Sequence, residues 1–230
     1  MRSLFDTDGF LMRALTKIAD MVWLNILFLI CSIPIFTIGA STTALYYVTF
    51  KTIKDEEGYI SRDFFHSFKQ NFKQSTIVWL VLLVLYAILG LDLTILLRMD
   101  SSMADAGIVL VMIPGLLILF VGIYVFPLLS RFENTTKATV KNALLLSIAN
   151  IPRTLLALVV TIAIPAVCLS DLKLLPLVPI CAFSVVAQLN GSLLYGVFEK
   201  LMPKKEAEEE ADSELENELK KEEETAQEEI

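Results

Sequence analysis

Apolar residues in this chain are gathered into long runs separated by short polar stretches. Six runs stand out, at residues 18–32, 41–53, 76–97, 106–130, 154–169 and 174–199. An α-helix rises about 1.5 Å per residue, so roughly twenty apolar residues cross about 30 Å of hydrocarbon. Most of the runs approach or exceed that length; the second, at 13 residues, falls well short. The pattern predicts an all-α fold: a polytopic transmembrane bundle of about six spans whose second helix is short or broken.

The break lies between the first two runs. Pro34 removes a backbone donor, Gly39 favours a turn, and Ser41, Thr42 and Thr43 follow directly. Backbone interrupted at membrane depth survives only where protein or a water-filled cavity satisfies its polar groups. Residues 18–50 therefore read as a hairpin whose turn, residues 34–41, lies at or short of the far surface. Such a turn is either a packed structural plug, which is the favoured reading, or the floor of a ligand site. The Ser41–Thr43 cluster is expected to cap the second helix, its side-chain oxygens accepting from the first free N–H groups. A helix N-terminus facing a cavity would also present donors to an anionic or hydroxyl-rich ligand.

Two polar loops carry apolar stripes at helical spacing. In residues 62–74, Phe64, Phe65, Phe68 and Phe72 recur on one side while Arg62, His66, Lys69 and Lys73 lie mainly elsewhere, which predicts an amphipathic helix lying in the interface. In residues 135–153, Val140, Ala143, Leu144 and Ser147 form a second stripe, and Pro152 ends that helix before the fifth span.

Charge fixes an expected orientation. Of the 19 basic residues, 17 fall in the N-terminus, in the loops after the second and fourth runs, or after the sixth; only Arg98 and Lys173 fall on the other side. The positive-inside rule then puts both termini in the cytoplasm of a multi-pass cell-membrane protein. The N-terminal residues 1–10 are polar and acidic, and no cleavage site follows the first apolar run, so the first span is expected to be retained. The net charge of −7 hides a division. Residues 203–230 hold 13 of the 26 acidic and 4 of the 19 basic residues, a net of −9, so the membrane body, residues 1–202, carries +2. The acidic tail is too polar to form a core and reads as disordered or as a solvated helix. Hydrophobic residues make up 55% of the chain, above the 45–50% usual for a soluble domain.

Polar side chains inside apolar runs are costly and are the candidate ligand or packing residues. They are Asn25 in the first run, Gly39, Ser41 and Thr42 at the break, Asp92 in the third run, and Gln188 and Asn190 in the sixth. For the amides, hydrogen bonding between helices is the simpler expectation. Asp92 reads as a carboxylate near the outer surface, beside Arg98 or Lys173. No catalytic constellation is visible: His66 is the single histidine, no phosphate loop occurs, and Cys31, Cys168 and Cys181 all sit in apolar runs. The chain is therefore not expected to be an enzyme, and no metal, cofactor or nucleic acid is expected.

The stretch from Trp23 to Tyr46, with Ser-Ile-Pro-Ile-Phe-Thr-Ile-Gly-Ala-Ser-Thr-Thr at its centre, resembles the hallmark of the YesL-like family of bacterial integral membrane proteins, a domain of unknown function. The blocks Phe64…Phe68…Asn71-Phe72 and Tyr124-Val-Phe-Pro-Leu-Leu-Ser-Arg-Phe132 resemble its other recurring segments, and the likeness covers roughly residues 8–200. Members of that family often accompany carbohydrate ABC transporters of Gram-positive bacteria. The resemblance thus implies a membrane component or accessory of carbohydrate uptake, with subunits of such a transporter as partners beside the lipid bilayer. The alternatives are an autonomous small carrier or channel with its site at the broken hairpin, and a membrane signalling or assembly factor using the acidic tail.

Overall fold

The structure, a computed structural model, describes residues 10–54, 58–99, 102–170, 173, 176 and 178–201. Among the described residues seven α-helices follow one another: α1 Phe10–Ser32, α2 Ile38–Ile53, α3 Ile60–Leu96, α4 Ser102–Arg131, α5 Thr136–Ala149, α6 Ile151–Ser170 and α7 Phe183–Phe198. A π-helical turn, Val178–Ala182, leads into α7. Among the described residues there is no strand. The helices α1, α3, α4, α6 and the stretch Val178–Phe198 are each long and apolar enough to cross a membrane. The acidic tail, residues 203–230, lies outside the described residues. The chain parts into two compact units, Met1–Leu193 and Leu194–Ile230. The second begins in the last turns of α7 and includes a 3-10 turn, Glu199–Leu201.

The break in the first hairpin is real and compact. α1 stops at Ser32, Pro34 is extended (φ −75°, ψ 118°), and Ile35–Thr37 form one 3-10 turn before α2. The Thr37 hydroxyl lies 2.6 Å from both the Cys31 and the Pro34 carbonyl oxygens, so one side chain serves the acceptors that the broken helix frees. α2 has 16 residues, about 24 Å at helical rise. It is the most enclosed helix, with ten buried positions and close packing on α3, α4 and α1.

α3 corrects the expectation of a separate interfacial helix. It is one helix of 37 residues, about 55 Å, joining the amphipathic stretch to the third apolar run. Neither Pro nor Gly occurs between Ile60 and Leu89 to interrupt it. Its first half is the wall on which α2 packs. Phe64 and Ser67 are fully buried; the Phe64 and Phe68 rings stack, and Phe72 meets Phe68 at a tilt. The stripe is thus divided: Phe64 packs inside the protein, Phe68 is half-buried, and Phe65 and Phe72 remain exposed.

Hydrogen bonds and an ion pair fix the α2–α3 register. The Trp79 indole Nε1 donates to the Ile35 carbonyl at 2.8 Å, the Thr43 and Ser75 hydroxyls lie 2.8 Å apart, and Lys51 pairs with Asp63 at 3.2 Å. α2 therefore runs antiparallel to residues 63–79 of α3. Beyond Trp79, α3 continues another 17 residues, so the hairpin turn stops about 26 Å short of the far end of α3.

α4 returns along the second half of α3: the Tyr86 hydroxyl donates to the Ile118 carbonyl at 3.2 Å. At the end of α4, Gln70 donates to Glu133 and Gln74 to the Asn134 carbonyl. The short helix α5 follows, its N-cap Thr135 accepting from the Ala138 N–H. It matches the helix expected from the second loop stripe, with Thr139, Ala143 and Ser147 buried. Val140 is exposed and lies off that buried face.

Candidate functional site

At the hairpin, the candidate polar residues are turned toward the protein's own backbone. Asn25 is fully buried. Its Nδ2 donates to the Val178 and Pro179 carbonyls at 3.1 and 2.8 Å, and its Oδ1 accepts from the Phe183 and Ser184 N–H groups at 3.0 and 3.1 Å. The side-chain amide thus stands in for a peptide unit. It is inserted into the backbone ladder where α7 begins, which accounts for the π-helical turn there. The Phe28 and Phe183 rings, 5.1 Å apart, close the same junction on its apolar side.

Gly39 marks the closest approach of α2 to α3. A Cβ placed there would lie 2.5 Å from the Ser75 carbonyl oxygen and 2.6 Å from Trp79 Cβ. Only glycine fits that contact. The capping role expected for the Ser41–Thr43 cluster does not hold. α2 begins at Ile38 with Thr37 at its N-cap position and no side-chain cap bond, so the cluster is already inside the helix. Thr42 and Thr43 donate back to the Ile38 and Gly39 carbonyls, and Ser41 is fully buried with its hydroxyl unbonded.

Behind the hairpin lies a groove of about 260 Å³ between α2, α3, α4 and α6, lined by Thr42, Tyr46, Trp79, Tyr86, Phe126 and Thr161 among others. Four aromatic rings, those of Tyr46, Trp79, Tyr86 and Phe126, share its wall with aliphatic side chains. Asn190, 1% exposed, sits beside Tyr46, donates to the Thr161 hydroxyl at 2.7 Å, and leaves its Oδ1 without a hydrogen bond. The structure therefore places Thr42 in the groove wall and Asn190 behind it, bonded to the wall residue Thr161. Asn25 and Gly39 serve helix junctions. Gln188 is half-buried on α7, where its carbonyl accepts from Ser192, and Asp92 is exposed near the end of α3.

A second concavity was not anticipated. Where α2 ends and α3 begins, Tyr47, Lys51, Tyr59, Arg62, Asp63 and His66 surround an open basin of about 710 Å³. Lys51 reaches the Asp63 carboxylate and also stands 5.5 Å from the Tyr47 ring centroid. Arg62 and His66 are exposed. The sequence separates these residues by up to 19 positions; helical spacing relates Tyr47 to Lys51 and groups residues 59–66, and the antiparallel pairing of α2 on α3 unites the two sets. The arrangement offers cationic donors and aromatic faces to a polar partner. Among the described residues no group of three or more His, Cys, Asp and Glu side chains stands close enough to hold a metal ion.

Comparison with known proteins agrees with the expected resemblance over the hairpin. Residues 21–93 match the family described as "Protein of unknown function, DUF624", of which the YesL-like family is one form. That region holds the hairpin and nearly all of α3. The chain is also similar to "Uncharacterized protein YteU" of Bacillus subtilis (strain 168), 28% identical over 184 residues, which cover 79% of this chain and 80% of that protein. No solved structure matches the chain.

Proposed function

We propose that this chain, whose hairpin and third helix match that family, is a non-catalytic membrane accessory of a carbohydrate ABC uptake system. In this reading both termini and the basin face the cytoplasm, and the basin end docks the transporter. One observation carries it: Asn25, Thr42 and Thr43 spend their hydrogen bonds on the chain's own backbone, and Gly39 is sealed by α3. The hairpin then acts as a plug that holds α3 and α7 in place. The basin, by contrast, presents exposed polar groups, Arg62 and His66 among them. Surface charge of that kind steers association and sets partner choice.

The test is co-purification from the native membrane with a tagged transporter subunit. The chain is expected in the eluate after mild detergent extraction, and Arg62→Glu is expected to lower its recovery about tenfold while leaving its melting temperature unchanged. Recovery of the chain alone, free of transporter subunits, contradicts the proposal.

A second reading, an autonomous small carrier, draws on the unbonded Oδ1 of Asn190 beside the aromatic groove. It differs in one outcome: purified chain in proteoliposomes then moves a sugar or ion by itself, and Asn190→Leu abolishes that flux.

A further inference from the structure

A hollow of about 200 Å³ lies between α3, α4 and α5, on the other side of Leu82 from the groove and apart from the basin. Ile77, Val81 and Leu85 of α3, Ile118 and Val121 of α4, and Val140 of α5 form most of its wall. Thr136 is its polar residue, so nothing there suits a hydrophilic ligand. On α3 it continues into a shallower apolar hollow formed by Leu80, Val84 and the shared Val81 and Leu85. The wall is open to the outside of the bundle: Ile77, Val81 and Leu85 are all exposed, at the start of an apolar run long enough to cross a membrane. The stretch from Ile77 to Leu85 is about 12 Å long.

Cations gather at one end of it. Lys73 lies one turn before Ile77 on the same side of α3, continuing the stripe of Ile77, Val81 and Leu85. Lys137 and Lys141 each follow a wall residue, Thr136 and Val140, by one position. All three lysines are exposed, and among the described residues none has an ion-pair partner. The bonds from Gln70 to Glu133 and from Gln74 to the Asn134 carbonyl bring this end of α3 level with the start of α5. Glu133 is the carboxylate at that level, and it accepts from Gln70. An apolar hollow at membrane depth with surplus positive charge at its mouth has the two chemistries of an anionic phospholipid, an acyl chain and a phosphate.

We propose that this hollow holds one acyl chain of an anionic phospholipid, whose phosphate is bound by Lys73, Lys137 and Lys141. The site is independent of any transporter partner. It commits to a lipid because its wall is apolar and open along the bundle surface.

Native mass spectrometry of the full chain in detergent, with phosphatidylglycerol and phosphatidylcholine added in equal amounts, tests it. Phosphatidylglycerol is expected to be retained roughly a hundredfold over phosphatidylcholine. Each Lys→Gln change at 73, 137 or 141 is expected to cut that preference roughly fivefold, until the triple variant binds both alike. Val81→Trp, at an exposed position, fills the hollow and is expected to lower retention of both lipids without changing the melting temperature. Glycerol phosphate, which lacks acyl chains, is expected not to displace the bound lipid. Equal retention of the two lipids by the unaltered chain overturns the proposal. So do an unchanged preference in the triple variant, retention unaffected by Val81→Trp, and displacement by glycerol phosphate.

Discussion

Replacing Asn25 with leucine is expected to lower the melting temperature of the detergent-solubilised protein by about 10 °C. The substitution keeps the branched shape but puts two methyl groups in place of the amide at a fully buried position, and so strands two carbonyls and two N–H groups at the start of α7. Each buried group left without a partner costs about 1–3 kcal/mol. Part of that is recoverable, because the π-helical turn can tighten so that the Phe183 N–H reaches the Pro179 carbonyl four residues back. That tightening rotates the rest of α7 by one residue, about 100°, and so disturbs the packing of Gly191 against Thr49 and Ile53. A net loss of about 3 kcal/mol follows, which for a chain of this length corresponds to a shift on the order of 10 °C. Asn190→Leu is the control. Asn190 bonds only side-chain hydroxyls, those of Thr161 and Tyr46, rather than four backbone groups, and its Oδ1 has no bond to lose. Intramembrane side-chain hydrogen bonds average about 0.6 kcal/mol, so the control is expected to shift melting by 2–3 °C at most, roughly. Thermal unfolding of the two variants side by side measures the difference; equal shifts would refute the assignment of Asn25 as the clamp.

Gly39→Ala is expected to destabilise by about 2–3 kcal/mol, although alanine favours helix over glycine by roughly 1 kcal/mol. The added methyl would lie 2.5 Å from a backbone oxygen and 2.6 Å from the first side-chain atom of Trp79. Neither atom can swing away, so α2 and α3 must separate. Overpacking of this kind costs about 1–3 kcal/mol by itself. Separation also lengthens the Thr43–Ser75 contact and the Trp79 bond to Ile35, which lie on the same seam. Gly90→Ala reverses the sign. Nothing lies within 4 Å of a Cβ at Gly90, so helix propensity alone acts, and the variant is expected to match or slightly exceed the parent in melting temperature.

The features legible in the sequence were those set by local chemistry. Run length and the Pro34 interruption are enough to predict a bundle with a broken first hairpin, because hydrocarbon thickness and the missing proline donor act wherever the chain goes. The amphipathic stripe at Phe64, Phe68 and Phe72 was legible as a helix, but not that Phe64 packs inside the protein while Phe72 stays exposed. A 3.6-residue period says that one side is apolar, and it does not distinguish a lipid surface from α2. The Ser41–Thr43 cluster misled because capping depends on where the helix begins. That point is set by the Thr37 hydroxyl and the 3-10 turn, four residues earlier than the cluster suggests. The partners of Asn25 lie more than 150 residues away, and no spacing rule reaches them. The basin and the lysine-rimmed hollow were hidden for the same reason: each joins segments that only helix pairing brings together.

The central claim is that α2 is a plug seated on the first half of α3, rather than a helix crossing alongside the apolar second half. Paired cysteines test the register directly, in a background with Cys31, Cys168 and Cys181 replaced by alanine. Thr43→Cys with Ser75→Cys places two thiols where two hydroxyls now lie 2.8 Å apart, within the short Cβ–Cβ separation that a disulfide requires. Thr43→Cys with Gly90→Cys places the second thiol fifteen residues farther along α3, about 22 Å away. Mild oxidation in native membranes, followed by mass analysis of the proteolysed chain, is predicted to give near-complete closure of the 43–75 pair and none of the 43–90 pair. Closure of the 43–90 pair with the 43–75 pair left open would contradict the account.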